Sequence, residues 1–524
     1  MRLLLGLVCI WASALSAQVT IQLRSAQDAE QIYAWASEKQ IEIESICEEW
    51  GMYHLKQWNS QYEWPSCVAL WQWERPIQRR YMPNDAEISL QKYLPLIQAP
   101  TLWDYQRTHL TRRGTELVVA LVDDGLDTSH PDLMDNIWVN ANEIPWNGMD
   151  DDGNGYVDDV FGWNSGDKTP EVFNKESIYY EHGTMVAGVL GARGDNGIGI
   201  SGVAPQVKMM PILCYPSNGV DTDLGVIRGM VYAYRQKQLW LQTEGSKGAP
   251  ISVLNMSVGM DNAFPEDAPL WCAMFDSLGS VGIVSVAATT NQNIDIGSSG
   301  DIPSLCSSPY LVVVSNSDVN DKPVGSGFST EYVDLSAPGE GVHTTRVYSK
   351  NPSNPYKSGG GTSFAAPQVS GTLLLLHAES CLTYLDLRKQ DPDSALKLMT
   401  TWLLSSVDTL SDLATRTKSS GRLQAYRAYQ LMHEWCSQND PVYRTEEWNM
   451  PKLRFWPNPA SGTVHLDCDV PASQMTVISS MGQKVYDGQA VSEWNAGALP
   501  AGFYHVAVEW PDGARATRTL VVQP

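Results

Sequence analysis

The sequence predicts an α/β protein whose main domain is a mostly parallel sheet with helices on both faces. The first observation is a set of short apolar runs in the middle of the chain, which are typical of buried parallel strands: 117–122, 207–213, 251–256, 282–288 and 310–314. The second is a set of helical patterns that alternate with these runs: 184–191, 224–241 and 364–378. Strands that alternate with helices form βαβ units, so a parallel sheet is the expected result.

A third observation indicates a different domain at the end of the chain. Residues 453–524 hold short alternating runs separated by Gly, Pro and Asn, which predicts a small antiparallel β-sandwich with strands at 463–466, 475–479, 503–508 and 517–522. Residues 439–452 are polar and include two prolines, so we expect a linker there.

The first residues read as a secretory signal. Arg2 precedes a short apolar run that ends at the small residues Ser16 and Ala17, which predicts a signal peptide over 1–17. This run is shorter than the roughly 18 residues that a membrane span needs, and no other stretch of the sequence reaches that length. Residues 18–80 then predict a small domain, with a strand at 19–23 and a helix at 27–39. Because the paired basic residues Arg79 and Arg80 look like a boundary, the main domain is expected over 81–438.

Composition and charge restrict the function. With 43% hydrophobic residues the chain is not a disordered protein, and its net charge of -23 argues against binding to nucleic acid or anionic membranes. Of nine cysteines, Cys9 lies in the signal segment, and the absence of a CxxC pair argues against a zinc ribbon. Chain position suggests three disulfides and leaves Cys214 and Cys468 single, although sequence alone leaves the connectivity open: Cys47–Cys67, Cys272–Cys306 and Cys381–Cys436.

Three motifs carry candidate chemistry. Asp123 ends the apolar run 117–122, where α/β sheets place functional carboxylates. His182 is followed by Gly183 and Thr184, small residues that let a helix begin close to the sheet. Ser363 follows three glycines and opens an apolar helix, whose free N–H groups favour a developing oxyanion. Taken singly, these residues are equally typical of a solvated turn, a structural histidine and an N-cap serine.

Together these motifs resemble those of the subtilisin-like (subtilase) family of serine proteases. The resemblance covers about 81–438, and the order Asp, His, Ser is the subtilisin order. It implies a serine endopeptidase in which Asp123, His182 and Ser363 form the catalytic triad. It also implies an oxyanion donor after the run 282–288, where Asn291 matches the family's asparagine, although Thr290 stands where the family usually has Gly.

The same resemblance implies where a substrate binds. The segment Ser257-Val258-Gly259 resembles the family strand that pairs with the substrate backbone, and Ala288 lies on the opposite side of the expected groove. Val258 and Thr290 favour a medium, uncharged pocket for the side chain that precedes the scissile bond.

Two stretches suggest structural calcium, whereas the chemistry itself needs no cofactor. By position, the resemblance to the subtilisin calcium loop implies one site with side-chain and carbonyl oxygens from Asp132, Gly194, Asn196, Ile198 and Ile200. The second stretch resembles the start of an EF-hand loop, with oxygens on Asp150, Asp152, Asn154 and Asp158. Its twelfth position is Phe161 instead of Glu, so a true EF-hand is not expected.

Resemblance to known families also suggests roles for the flanking segments. Residues 18–80 lie where subtilases carry a propeptide, and 453–524 resemble a type IX secretion sorting domain by the motifs at 457–461, 480–485 and 499–504. This implies export by an N-terminal signal peptide, a place outside the cell or on the outer membrane, and protein substrates and a secretion machinery as partners. The alternatives are a surface adhesion protein that keeps the fold without catalysis, and an esterase or peptide ligase.

Overall fold

The computed structural model describes residues 17–58, 64–73, 81–173, 181–218, 220–440, 453–456, 460–468, 473–479, 484–500, 502–509 and 515–522. Its internal contacts divide the chain into two compact units, Met1–Arg79 and Arg80–Pro524. Nearly all of the predicted signal segment, the pair Arg79 and Arg80 and most of the predicted linker lie outside the described residues, as do parts of the three sorting motifs.

The N-terminal unit is a four-stranded antiparallel sheet with one helix. Its strands are β1 Ala17–Leu23, β2 Glu42–Cys47, β3 Met52–Trp58 and β4 Val68–Trp73, in the order β2-β3-β1-β4. Helix α1, Ala29–Glu38, contributes the buried Ile32 to a core that also contains Val19, Ile21 and Leu55. The strand predicted at 19–23 and the helix predicted at 27–39 are therefore confirmed.

The main sheet of the second unit has nine strands, in the order β16-β17-β13-β12-β10-β8-β5-β7-β6. Their bounds are β5 Val118–Asp123, β6 Trp163–Asn164, β7 Lys208–Leu213, β8 Ile251–Met256, β10 Val284–Ala288, β12 Leu311–Ser317, β13 Leu335–Pro338, β16 Asp408–Thr409 and β17 Gly421–Arg422. Neighbouring strands are parallel except β16 and β17. The predicted parallel sheet is confirmed, and each of the apolar runs forms one of its strands.

Helices cover both faces of this sheet. They are α2 Tyr93–Leu96, α3 Ala99–Trp103, α4 His182–Gly191, α5 Asp223–Gln242, α6 Pro269–Ser280, α7 Ile296–Ser299, α8 Thr362–Glu379, α9 Leu382–Gln390, α10 Pro392–Ser405 and α11 Ala425–Asn439. Two hydrophobic cores result, one containing residues of α4 and α8 and the other residues of α5 and α6. Two short pairs complete the domain: β9 Met260–Asp261 with β11 Asp301–Ile302, and β14 Val342–Thr345 with β15 Tyr356–Gly359.

The C-terminal residues form antiparallel sheets, as predicted. One contains β18 Leu453–Trp456, β19 Thr463–Cys468 and β22 Glu493–Asn495, and the other contains β20 Gln474–Ser479, β21 Lys484–Gln489, β23 Gly502–Glu509 and β24 Arg515–Val522. A separate core includes Val464, Val477, Val506 and Leu520. Across the described part of the chain, no helix combines the length and apolar character needed to cross a membrane.

The cysteine pairs are partly as predicted. Cys272–Cys306 and Cys381–Cys436 are disulfides, whereas Cys47 and Cys67 carry free thiols, so that predicted pair is wrong. The physical reason lies in the strand order: Cys47 ends β2 and Cys67 precedes β4, and these strands lie at opposite edges of their sheet. Cys214 is a buried free thiol, and the side chain of Cys468 lies outside the described part.

Helix α8 contains a histidine whose side chain is buried without hydrogen bonds to the described residues. His377 is fully buried, and neither of its ring nitrogens has a hydrogen-bond partner among the described residues. Burial lowers the pKa of His377 well below its ordinary value, and the nearby charges of Arg388 and Lys237 lower it further. The unfolded chain binds this proton with a pKa of about 6.5, so the stabilisation from a neutral His377 is present above that pH and is lost as acid is added.

We therefore expect His377→Phe to make the free energy of unfolding less sensitive to acid. Between pH 7 and pH 5 a buried neutral histidine should cost the wild type about 2 kcal/mol that the variant does not lose. Urea denaturation at both pH values measures this difference. Equal losses in the two proteins would show that His377 is not the group responsible.

Candidate active site

The candidate residues meet at the carboxyl edge of the main sheet. Asp123 ends β5, Asn291 follows β10, and the helices α4 and α8 begin with His182 and Thr362. Loops at the carboxyl ends of parallel strands are where α/β proteins bind ligands. Helix N-termini there also direct free N–H groups and a positive dipole towards the same region.

Asp123 and His182 are directly bonded. Asp123 is buried, and its Oδ1 lies 2.7 Å from His182 Nδ1. Burial opposes a charge on the imidazole, but the attraction of Asp123 and this hydrogen bond outweigh it and raise the pKa of His182 above its ordinary value. A carboxylate on Nδ1 fixes the ring and leaves Nε2 as the nitrogen that can exchange a proton with a substrate or nucleophile.

Asp124 holds the start of the helix that carries His182. Its two carboxylate oxygens accept the N–H groups of His182 and Gly183, at 3.0 and 2.6 Å. Burial, and then the neighbouring charge of Asp123, raise the pKa of Asp124 to about 7. Gly183 is required here, because a Cβ at that position would collide with the carbonyl oxygen of Gly125.

Ser363 lies in the first turn of α8, a helix whose residues are all buried. Pro367 has no N–H, so it cannot bond the carbonyl of Ser363 one turn earlier. Ser257 compensates by donating its hydroxyl to Ser363 O at 3.1 Å. Ser363 Oγ and His182 Nε2 share no hydrogen bond in the part of the chain described, and the His182 ring lies 5.9 Å from that of Phe364, centroid to centroid. Such bonds often form only when substrate is bound.

Asn291 is oriented by Thr362. Its side-chain oxygen accepts the Thr362 N–H at 2.9 Å and the Thr362 hydroxyl at 3.0 Å. This fixes the amide and leaves Nδ2 without a hydrogen-bond partner among the described residues, as an oxyanion donor requires. The methyl group of Thr290 faces Gly327, and its N–H donates to Asp301 Oδ2 at 3.0 Å.

The predicted substrate-binding residues lie at the ends of two neighbouring strands. Ser257, Val258 and Gly259 directly follow β8, and Ala288 ends β10, the neighbouring strand. Gly259 is exposed and has room for no side chain on its inner side, because a Cβ there would lie 2.6 Å from Ile302 O. An extended peptide can therefore reach the backbone of this segment.

The structure brings together some of the residues predicted for the first metal site. Asp132 is fully buried and accepts Asn196 Nδ2 at 2.7 Å and the Ile200 N–H at 3.0 Å, and burial raises its pKa to about 7. Among the described residues Asp132 has no hydrogen bond with Gly194 or Ile198, and Asn196 turns its amide nitrogen towards Asp132 instead of the predicted side-chain oxygen. The sequence analysis missed Asp85, a buried carboxylate that accepts the N–H groups of Asp195 and Asn196.

The second predicted metal site gains a member that sequence did not indicate. Carboxylate oxygens of Glu143, Asp150 and Asp152 lie within 4.8 Å of one another. Asn154 joins them through Nδ2, 3.1 Å from Asp152 Oδ2, whereas Asp158 is directed away, towards the N–H groups of Asn147 and Gly148. Glu143 lies seven residues before the acidic run, so no motif spacing could have indicated it.

Comparison with known families gives two matches. The model of the "Subtilase family" matches residues 114–389, more than half of the chain, and that of the "Secretion system C-terminal sorting domain" matches residues 454–523.

Several characterised proteins are similar over the middle of the chain. The major intracellular serine protease of Bacillus subtilis (strain 168) is 31% identical over 288 residues, which cover 54% of this chain and 73% of that protein. Thermitase of Thermoactinomyces vulgaris is 29% identical over 304 residues, which cover 57% of this chain and 86% of thermitase. Subtilisin-like protease 1 of Plasmodium berghei (strain Anka) is 29% identical over 339 residues, and the matched region spans about half of that longer protein.

Among solved structures, the epidermin leader peptide processing serine protease of Staphylococcus aureus superposes with a TM-score of 0.47. The two sequences are 19% identical, and the superposed region covers 79% of this chain and 98% of the staphylococcal protease.

Proposed function

Because this chain belongs to the subtilase family, we propose that it is a serine endopeptidase that cleaves proteins through an acyl-enzyme on Ser363. The observation that best supports this is the 2.7 Å hydrogen bond between Asp123 and His182, located beside the start of the helix that carries Ser363. The comparisons lend no support to the alternative of a non-catalytic adhesion protein.

In the proposed mechanism, His182 takes the proton of the Ser363 hydroxyl as Oγ attacks the scissile carbonyl. Asp123 keeps the imidazole in the required tautomer and stabilises the imidazolium that forms. His182 then gives the proton to the leaving amine, and water hydrolyses the acyl-enzyme in the reverse sequence. Asp124 acts as a positioning residue, because it fixes the helix start on which His182 lies.

The negative charge on the carbonyl oxygen needs donors that are already oriented. We assign this role to Asn291 Nδ2 and the Ser363 N–H. Thr362 holds the other end of the Asn291 amide, so the donor needs little reorganisation during the reaction. The substrate backbone would extend along Ser257, Val258 and Gly259, with Ala288 on the other side.

The test of this proposal is digestion of a denatured, unrelated protein by the purified chain, with a serine-reactive fluorophosphonate as a second readout. We expect cleavage within the substrate and labelling of a peptide that contains Ser363. Cleavage that persists after complete labelling would contradict a serine mechanism. Release of terminal residues alone would contradict an endopeptidase.

The flanking segments suggest how the enzyme matures. The sorting-domain match indicates export by type IX secretion, to the cell surface or beyond. We further propose a signal peptide over 1–17, a propeptide over 18–80 that is removed to give the active enzyme, a catalytic domain over 81–438, a linker over 439–452 and a sorting domain over 453–524.

Subtilases commonly bind calcium, and two sets of oxygens in this chain fit that ion. Glu143, Asp150 and Asp152 offer closely spaced carboxylates, and the buried carboxylate of Asp132 lies beside the half-buried Asn196. These hard oxygen donors suit Ca²⁺ better than a transition metal. A bound cation would offset the cost of burying these carboxylates, so its role would be structural.

We expect chelation with EGTA to lower the melting temperature by about 5–10 °C, since an ion bound well above its Kd stabilises the fold by about 3–4 kcal/mol. The effect should be smaller in both Glu143→Gln and Asp132→Asn, measured by differential scanning calorimetry in a Ser363→Ala background. Glu331→Gln, an exposed carboxylate, serves as the matched control. An unchanged melting temperature in EGTA would argue against both sites.

A further inference from the structure

A short sheet joins the two sides of the proposed substrate groove. Strand β9 continues directly from the segment Ser257 to Gly259, and β11 begins ten residues after Asn291. The strands are antiparallel, with Asp261 opposite Asp301 and Met260 opposite Ile302. Because both strands extend from residues of the proposed groove, we take this sheet as the base of the pocket for the residue before the scissile bond.

Asp301 is an unneutralised carboxylate at this base. It is only 2% exposed, and its Oδ2 accepts the N–H of Thr290, the residue before the proposed oxyanion donor, at 3.0 Å. Within the described ranges, Asp301 has no ion pair with Lys, Arg or His. Burial raises the pKa of Asp301 to about 6, and the Ser304 side chain and the hydrogen bond from the Thr290 N–H oppose part of this increase.

The nearest charge that acts on Asp301 is also negative. Asp261 is exposed on the opposite strand, and its Oδ2 accepts Gln292 Nε2 at 2.8 Å. A buried carboxylate without a counter-ion is costly, and a second carboxylate beside it adds to that cost. A cationic side chain of a bound substrate would relieve both of these costs.

The disulfide Cys272–Cys306 restrains this base. It ties the segment that follows β11 to helix α6, so Asp301 lies between a strand pair and a covalent link. Binding energy is used most efficiently when the charged group is held in place before the ligand arrives. Asp301 therefore has the burial, the lack of a counter-ion and the fixed position of a specificity residue.

Building on the proposed endopeptidase function, we propose that Asp301, supported by Asp261, makes this enzyme cleave after lysine and arginine. The carboxylate would accept hydrogen bonds from the ammonium or guanidinium group of the substrate residue before the scissile bond. Val258 and Thr290 alone favoured an uncharged pocket, and neither of their motifs includes Asp301, which lies on the separate strand β11.

The test uses the processed, full-length enzyme and a set of peptides that differ only at the residue before the cleaved bond. We expect kcat/KM for Arg and Lys to exceed that for Gln and Leu by about tenfold to a hundredfold, the usual range for a hydrogen-bonded charge. In Asp301→Asn, whose side-chain oxygen can still accept the Thr290 N–H, the Arg to Gln ratio should fall by a similar factor.

Asp267→Asn is the matched control, since it makes the same chemical change in an exposed carboxylate that also accepts one backbone N–H, that of Phe264. It should leave the Arg to Gln ratio unchanged. Because Asp301→Asn could fail to fold, a second measurement uses the wild type alone: benzamidine, which carries an arginine-like amidine, should inhibit competitively.

Three results would overturn the proposal: equal use of Arg and Leu, a ratio that survives in Asp301→Asn, or no competition by benzamidine. If Ser363 is labelled by fluorophosphonate but cleavage shows no basic preference, this inference alone fails. If no peptide is cleaved and Ser363 is not labelled, the proposed function fails and the inference falls with it.

Discussion

Ser363→Ala is expected to lower kcat by about 10⁶-fold, the size of loss known for the nucleophile of a subtilisin. The reason is that the hydroxyl oxygen forms the acyl-enzyme, and the hydroxyl of the neighbouring Thr362 is already bonded to Asn291 and Thr289. The backbone N–H of residue 363 is retained, so residual catalysis of about 10³–10⁴-fold over water should remain from the oxyanion donors and from substrate binding. Initial rates with the best peptide substrate measure this loss.

A matched serine in the same helix region serves as the control. Ser380 is also buried, but its hydroxyl donates to His377 O at the far end of α8. Ser380→Ala should therefore keep kcat within a few fold while losing some stability. Equal activity in wild type and Ser363→Ala would show that another residue or a contaminant is the nucleophile, and the proposed triad would be wrong.

Much of the fold could be predicted from sequence because buried parallel strands are short, apolar and separated by helices. The runs at 117–122 and 251–256 are strands β5 and β8 in the structure. The weak points are elements that are very short or only partly buried, such as the two-residue strands β16 and β17 and helix α9. Tertiary contacts decide these elements, and a local pattern carries no signal for them.

In the candidate site, too, residues that belong to a local motif could be predicted and residues outside one could not. Residues within motifs, such as Asp123 and His182, could be predicted because a glycine or a helix start fixes their surroundings locally. Asp301, Glu143 and Asp85 could not, because each contributes through contacts with residues that are separated from it in the sequence. If Asp301 binds substrate as proposed, it changes the expected specificity most, because a buried charge would then lie in a pocket that Val258 and Thr290 predicted to be uncharged.

The second large effect concerns the oxyanion. Asn291→Ala is expected to lower kcat by about 10²–10³-fold with little change in KM, because removing one such donor weakens binding of the transition state and not of the substrate. The structure favours the upper part of this range, since Thr362 fixes the amide in advance through two hydrogen bonds. Steady-state kinetics with a single peptide substrate separates kcat from KM.

Asn293→Ala is the matched control for this substitution. Asn293 lies two residues further along, and its side-chain oxygen accepts Arg416 Nη2 at 2.7 Å, so its amide is held on the surface and not at the site. We expect normal kcat in that variant. If Asn291→Ala raised KM and left kcat unchanged, Asn291 would be a substrate-binding residue, and the oxyanion would depend on the Ser363 N–H and the dipole of α8 alone.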